Sequence, residues 1–390
     1  MLELLATLVI SVLAVFFGFY LFYYCLCWSY INFRRPKYTA VTTNFQPSLS
    51  IIIPVYNEIK VLDRKITNLK ELNYPRKKLE IIFVDGGSTD GSVRFLEEIA
   101  NDCDLEIKSI FQGKRRGFNN AVIEGFGLAT GDFILISGAE VEFEKDSLNM
   151  LMRHFSNPKI GAVTGRQRIK NQNAAYSPKL EVAYRDLYDF LREAESFIDS
   201  PFDLKGEISV AKREIIKALV ENPKLSRKGC IDVCSVFQGR MDNLKTVYEP
   251  NAIYYELSPT VMRDSFKQLY RRAATLIENM LVFKSMIFNR RYGAFGMIIM
   301  PAHLMMLIPL PFFLLLGSIG TITLAILNPS NYLFIIIISA ALLSLVLSKR
   351  IQAFIKTQIA LIIALLKIVR GVETQKFEKL ESVRPNVQSD

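Results

Sequence analysis

Several polar groupings in this chain are of types and spacings that do chemistry. Ser137-Gly-Ala-Glu140-Val-Glu142 sets two carboxylates two residues apart, so a continuing strand would turn both hard oxygen donors to one face. Gly113-Lys-Arg-Arg116 is a basic run that either meets an anion or forms a solvated basic turn. Asp85-Gly-Gly-Ser-Thr-Asp90 combines glycines with N-capping residues, the composition of a turn that opens a helix. At helical spacing Gln268, Arg271 and Arg272 share one face, with Thr275 below them. Phe266, Leu269, Tyr270, Ala273, Ile277 and Met280 make the opposite, apolar face. Such a helix lies at a membrane interface and offers cations to an anionic group. Cys230 and Cys234, in C-x3-C spacing with no second pair and no nearby His, read as small buried residues in a reducing compartment.

Rigid elements must hold these groups, and the apolar pattern supplies them. Leu49-Ser-Ile-Ile-Ile-Pro54 and Leu79-Glu-Ile-Ile-Phe-Val84 are short continuous apolar runs, as buried parallel strands require. Residues 59–72 have helical spacing through Val61, Leu62, Ile66 and Leu69. A second helix runs through Val93, Phe95, Leu96 and Ile99. Leu105 to Phe111 and Phe133 to Ile136 predict the third and fourth strands. Strands alternating with helices imply an α/β domain built on a mostly parallel sheet with right-handed crossovers. Ligands of such sheets lie at the carboxyl ends of the strands, where these polar turns fall.

The chain has 390 residues, half of them hydrophobic, with a mean hydropathy of +0.21. The apolar surplus is concentrated. Residues 1–33 carry one charge, Glu3, and residues 292–348 carry none. A purely soluble, disordered or collagen-like chain is excluded. The formal charge of +10 flanks apolar segments, which points to a membrane surface and not to nucleic acid. Leu4 to Ser29 is long enough to cross a bilayer core. Its only early charge is acidic and its far end is aromatic, so it reads as a retained anchor and not a cleaved signal. Arg34, Arg35 and Lys37 then place residue 34 onward in the cytoplasm. Ala294 to Leu327, with Pro301, Pro309 and Pro311, and Tyr332 to Ser348 predict two further spans joined by an uncharged external turn, 328–331. Ile351 to Val369 carries Lys356 and Lys367 and reads as an interfacial helix or a fourth span. The expected organisation is an anchor over 1–33, a basic linker over 34–47, the α/β domain over 48–260, an amphipathic interfacial region over 261–293, two membrane helices over 294–348, and 349–390 as the interfacial or fourth membrane helix with a cytoplasmic tail.

Ile51-Ile-Ile-Pro-Val-Tyr-Asn-Glu58 followed by Val84-Asp-Gly-Gly-Ser-Thr-Asp-Gly91 resembles the opening of the family 2 glycosyltransferases, which have the GT-A fold. Gly113-Lys-Arg-Arg-Gly-Phe-Asn-Asn-Ala121 resembles that family's basic, Asn-bearing loop and helix. Ile160-Gly-Ala-Val-Thr-Gly-Arg-Gln-Arg168, Lys205-Gly-Glu-Ile-Ser209 and Gln268-Leu-Tyr-Arg-Arg272 resemble later landmarks of its membrane-bound polysaccharide synthases, the cellulose, chitin and hyaluronan synthases. The resemblance covers about residues 48–290 and includes the order of membrane segments.

This resemblance implies roles. Pro54, Tyr56 and Glu58 shape one wall for a nucleotide-sugar donor, Asp85 accepts hydrogen bonds from its base or ribose, and Lys114 with its neighbours Arg115 and Arg116 meets the diphosphate. Gln268, Arg271 and Arg272 match the family's Gln-x-x-Arg-Trp and also serve the donor. Glu140 matches the last carboxylate of the family's Asp-x-Asp and would hold a divalent cation, Mg2+ or Mn2+, with the diphosphate. Asp232, in Gly229-Cys-Ile-Asp-Val-Cys-Ser235, matches the Asp of Thr-Glu-Asp and would be the catalytic base; its other reading is a helix N-cap. Three departures stand out: Gly138 replaces the first metal Asp, Cys230 and Ile231 replace Thr and Glu, and Arg272 stands where Trp is usual. The expected protein is a multi-pass cell-membrane, inverting glycosyltransferase with a cytoplasmic catalytic domain. It would pass a sugar, from UDP first of all, to a growing glycan or lipid-linked acceptor. Export would call for a homo-oligomer or a partner, since one chain has few membrane helices for a channel. The alternatives are a polyprenyl-phosphate sugar synthase and a non-catalytic nucleotide- or glycan-binding membrane subunit.

Overall fold

Apolar runs alternate with amphipathic helices through the first half of the domain, and the computed structural model folds them accordingly. It describes residues 2–33, 44–101, 104–225, 229–330 and 332–371; Arg34, Arg35, Lys37, Cys103, Asn331 and the end of the tail lie outside these. After helix α1 (Leu2–Phe33) come β1 (Leu49–Val55), α2 (Ile59–Lys70), β2 (Leu79–Asp85), α3 (Ser92–Asn101), β3 (Glu106–Phe111), α4 (Phe118–Leu128) and β4 (Phe133–Ile136). The second half runs β5 (Glu142–Phe143), α5 (Ser147–Met152), β6 (Ile160–Ile169), α6 (Tyr176–Ile198), β7 (Ser209–Lys212), α7 (Arg213–Val220), α8 (Ser235–Met241), β8 (Lys245–Glu256) and α9 (Met262–Val282). The remaining helices are α10 (Met300–Leu307), α11 (Pro309–Leu327), α12 (Tyr332–Leu347) and α13 (Lys349–Val369).

One sheet carries the site, in the order β3-β2-β1-β4-β7-β6-β8-β5. β1 pairs in parallel with β2 and β4, and β2 with β3. The antiparallel β7 then separates β4 from β6, and β6 pairs in parallel with β8. The sheet is therefore mixed in its second half, because the four residues of β7 enter it backwards between two parallel sets. Alternate side chains feed opposite layers, as the two-residue period demands. Ile51, Ile53, Ile81 and Phe83 pack with Leu62, Ile66 and Leu69 of α2 on one side. Ile52, Ile82, Val84, Ile134 and Ile136 face the other side, in a cluster that continues into Tyr23 and Cys27 of α1, Ile277 and Met280 of α9, Met300 and Leu361.

That shared cluster joins the domain to its apolar helices. α1, the stretch Phe295–Leu327 and α13 are long and apolar enough to cross a membrane. The middle stretch bends at Ile308, where Pro309 brings no backbone donor to the next turn. α12 has 16 residues. It matches the element expected over 332–348 to within one residue, and at about 1.5 Å per residue a helix of this length is shorter than a bilayer core about 30 Å thick. α13 instead lies along α9 and α6, burying Ala353, Thr357, Ala360, Leu361 and Ala364. Its Lys356 Nζ donates to Ser265 Oγ at 2.7 Å.

Candidate active site

At the carboxyl ends of β1 and β2 two loops interlock. The Asn57 N–H donates to Ser88 Oγ (2.7 Å), and Asn57 Oδ1 accepts from the Thr89 N–H (2.8 Å). Ser92 Oγ and Asp90 Oδ2 accept from the N–H groups of Glu58 and Ile59. Asn57 holds φ at 56°, a conformation that Asn tolerates better than most residues. The polar residues of the two motifs thus brace each other, while Pro54, Tyr56 and Glu58 between them line a cavity of about 570 Å3. Asp85 does not join them. Its buried carboxylate accepts from the N–H groups of Gly87 (2.8 Å) and Ser88 (2.9 Å) and from the Ser88 hydroxyl. The tight turn at Gly86–Gly87 aims these donors back at Asp85, so its oxygens serve the turn.

The basic run divides three ways. Lys114 is exposed and stands outside the cavity wall, Arg116 pairs with Glu124 at 2.9 Å, and Arg115 lines the cavity. The Arg115 guanidinium lies 4.2 Å above the Tyr56 ring centre, a cation–π contact. The run is a tight turn, so its side chains diverge, and the residue delivered to the site is Arg115 instead of Lys114.

Opposite stand Asp232, Gln268, Arg271 and Arg272, all of them cavity-lining. The three α9 side chains share the face their spacing predicts. Asp232 does not cap a helix: α8 begins at Ser235 with Cys234 in the cap position, and the Asp232 carboxylate accepts from the Val233 N–H at 2.9 Å and from the Cys230 thiol. Its carboxylate lies directly against the Cα of Gly206, and a Cβ there would overlap it. Burial raises the Asp232 carboxyl to about 6, and the negative charge of Glu207 pushes the same way. Such a group is ionised at neutral pH yet basic enough to take a proton.

Glu140 occupies the turn after β4. Its carboxylate folds back over Gly138, so that a Cβ at 138 would come within 2.8 Å of Oε2. The extra methylene of Glu thereby fills the space that a side chain at 138 would take. Beneath the turn, the fully buried Lys65 of α2 donates to Ser137 Oγ (3.0 Å) and to the Val141 carbonyl (2.8 Å), fastening both ends. Burial lowers its amine to about 7, against the pull of Glu140 and Glu142. Glu142 faces elsewhere, paired with Arg64 at 2.7 Å and Lys170 at 2.9 Å. Among the described residues no cluster of three or more His, Cys, Asp or Glu could hold a metal alone. One cavity-lining carboxylate fits a Mg2+ or Mn2+ ion whose remaining ligands are phosphate and water, since such ions take only one or two protein carboxylates.

The far end of the cavity is built from ion pairs that the sequence motifs do not mark, some within α6 and some reaching from α6 to other segments. Arg192 of α6 donates to Asp189 (3.1 Å) and to the carbonyl (2.9 Å) and carboxylate of Asp203. Arg185 bonds Glu181 at 2.5 Å and also Gln167. Arg272 reaches Glu181 at 2.8 Å and Glu256 at 3.6 Å. Although burial opposes it, Arg185 and Arg272 hold Glu181 at about 2, whereas burial raises Glu256 to about 7. Tyr184, Lys205 and Glu207 complete this end. The one signal available was the charge series 181, 185, 189 and 192 at helical spacing, which reads equally as a solvated face.

Residues 50–219 match the family model described as Glycosyl transferase family 2. A poly-beta-1,6-N-acetyl-D-glucosamine synthase of Staphylococcus epidermidis is 23% identical over 228 residues, 58% of this chain and 53% of that protein. The synthase of the same name from Staphylococcus aureus (strain COL) is 22% identical over 274 residues, 66% of this chain and 65% of that one. The chain thus spans between about half and two thirds of the length of these relatives. Among solved structures, the mannosyltransferase PcManGT from Pyrobaculum calidifontis, in complex with GDP-Man and Mn2+, superposes with a TM-score of 0.81 at 25% identity, covering 95% of this chain and 99% of that one.

Proposed function

We propose that this chain, whose residues 50–219 match the family 2 glycosyltransferase model on a GT-A fold, transfers a sugar from a nucleoside-diphosphate sugar to the hydroxyl of a glycan or lipid-linked acceptor at a membrane face. The observation that carries this reading is the meeting, in one cavity, of a buried carboxylate at about 6, a hard-oxygen donor on the turn after β4 and the cations of α9: Asp232, Glu140, Arg271 and Arg272. Asp232 takes the proton of the attacking hydroxyl as its oxygen closes on the anomeric carbon. A single displacement of this kind inverts the sugar. Arg271, Arg272 and Arg115 face the departing diphosphate, and Pro54, Tyr56 and Glu58 flank the nucleoside. Glu140 would hold Mg2+ or Mn2+ with the diphosphate, and a cation held there would supply charge neutralisation for the leaving group. PcManGT was solved with GDP-Man and Mn2+, which supports a nucleotide sugar and a divalent ion here.

UDP-sugars are the first donors to try, with GDP-mannose as the comparison. The domain is proposed to be cytoplasmic, held by α1 and the stretch 295–327, with α13 lying on the domain at the interface. The test is nucleotide release by the purified chain in lipid nanodiscs, scanned over UDP- and GDP-sugars with and without Mn2+. Release from one donor, with product length read by mass spectrometry, supports transfer. Nucleotide binding with no turnover on any donor would move the weight to a non-catalytic subunit.

A further inference from the structure

Lys205 lines the cavity one residue from Gly206, the glycine on which the Asp232 carboxylate rests. Its backbone is tightly held: its N–H donates to Thr164 Oγ1 at 2.9 Å, and its carbonyl accepts from Ser209 Oγ at 2.7 Å and from the Ile208 N–H at 3.0 Å. The amine has no such anchor. Among the described residues it has neither a hydrogen bond nor an ion pair, whereas the arginines around it all have theirs: Arg192 with Asp189 and Asp203, Arg185 with Glu181, Arg272 with Glu181 and Glu256. Burial, then the charges of Arg192 and Arg185, push the Lys205 amine well below its usual range. The carboxylates of Asp203 and Glu181 act on this amine without pairing with it, since Arg192, Arg185 and Arg272 hold them, so an incoming anion would give it the direct partner it lacks.

The position of this amine says which substrate brings the anion. The nucleoside wall stands at the ends of β1 and β2, while Lys205 leads into β7, on the far side of β4. That end is roofed by α6 and α9, the helices on which α13 packs; α6 also carries α1. An acceptor lying under these helices would meet Lys205 at the β7 end of the cavity, apart from the nucleoside wall at the ends of β1 and β2. We infer that Lys205 is the anchor of an anion subsite for the phosphate of a lipid-linked acceptor, holding that phosphate while a hydroxyl of the same headgroup faces Asp232. The phosphate is a handle and not the nucleophile, which keeps the base in use. This inference rests on the proposed transfer reaction and names its acceptor class.

Binding measured in phosphatidylcholine nanodiscs tests it with two probes of equal chain length, dodecyl phosphate and dodecyl glucoside, alongside UDP and GDP with Mn2+. The wild-type chain should bind the phosphate at least about tenfold more tightly than the glucoside. Lys205→Met should erase that preference and Lys205→Arg should keep most of it, with nucleotide affinity changed less than about twofold in both; tenfold corresponds to about 1.4 kcal/mol. Equal affinity for the two lipids in the wild type, or a preference that survives in the Met variant, would overturn the subsite. Weakened nucleotide binding in the Met variant would place the amine on the donor instead. Displacement of dodecyl phosphate by millimolar inorganic phosphate would assign the site to free phosphate and overturn the lipid source. Failure of the wild type to bind any nucleotide would count against the transfer reading itself.

Discussion

The two ends of the cavity are made by different means. At the β1–β2 end, neighbouring loops brace each other through short polar side chains, Asn57, Ser88, Asp90 and Ser92, whose partners are mostly backbone N–H groups. At the α6–α9 end, long charged side chains from distant segments hold one another, as in Arg272 to Glu181 and Arg192 to Asp203. The first kind of wall can be written in a dozen residues and recurs wherever its motif does. The second is assembled only after the chain has folded, and its members are free to vary together. A donor that many enzymes share suits the first, and an acceptor particular to each enzyme suits the second.

Substitution at the junction of the two ends should have the largest effect. Asp232→Asn keeps the shape of the carboxylate but cannot take a proton, so transfer should fall by about 10²–10⁴ while nucleotide affinity holds. Turnover near the wild-type level would show that the base lies elsewhere. Next comes Arg192→Met, which takes a cation from the buried Asp189 and from the half-buried Asp203 and should cost about 3–5 kcal/mol in urea denaturation. Asn57→Gly, which frees the Thr89 N–H at the opposite end while leaving the φ of 56° unstrained, should cost only about 1 kcal/mol. If the two losses proved equal, the contrast between the walls would fail.

Gly206→Ala tests positioning. The new Cβ must push the Asp232 carboxylate aside, and a shift of about 1 Å is worth roughly 10² in kcat. Melting temperature and nucleotide affinity should barely move, and an unchanged kcat would show that the carboxylate tolerates displacement. The smallest effect is on pH dependence. Because Asp232 must be ionised to act, transfer should be nearly full from about one unit above the carboxyl's value of about 6 and should halve near that value. Below it the rate should drop about tenfold per unit. A profile flat down to pH 5 would remove this carboxylate from the rate-limiting proton transfer.

The first half of the sheet was legible because β1, β2 and β4 are continuous apolar runs and each is followed by a polar turn. α9 was legible because Gln268, Arg271 and Arg272 repeat at helical spacing. Asp85 and Lys114 were not, because a motif fixes where a turn lies but not which of its side chains turns inward. The antiparallel β7 escaped notice for want of length, and the α6 charges because buried and solvated helix faces carry the same letters. Lys205 lay inside a quoted motif, but its lack of a partner is visible only once the neighbouring ion pairs are known.

Glu140 and Gly138 behave as one unit, since the carboxylate of the first lies in the volume that a side chain on the second would need. Two sequence changes therefore separate this turn from the more usual pair of aspartates, and neither is neutral alone. Gly138→Asp arrives while the space is still occupied and drives the existing carboxylate out. Glu140→Asp vacates the space with nothing to fill it. Under the proposed metal role, either single change leaves the ion's carboxylate displaced or too short, so a chain with one change but not the other should be rare.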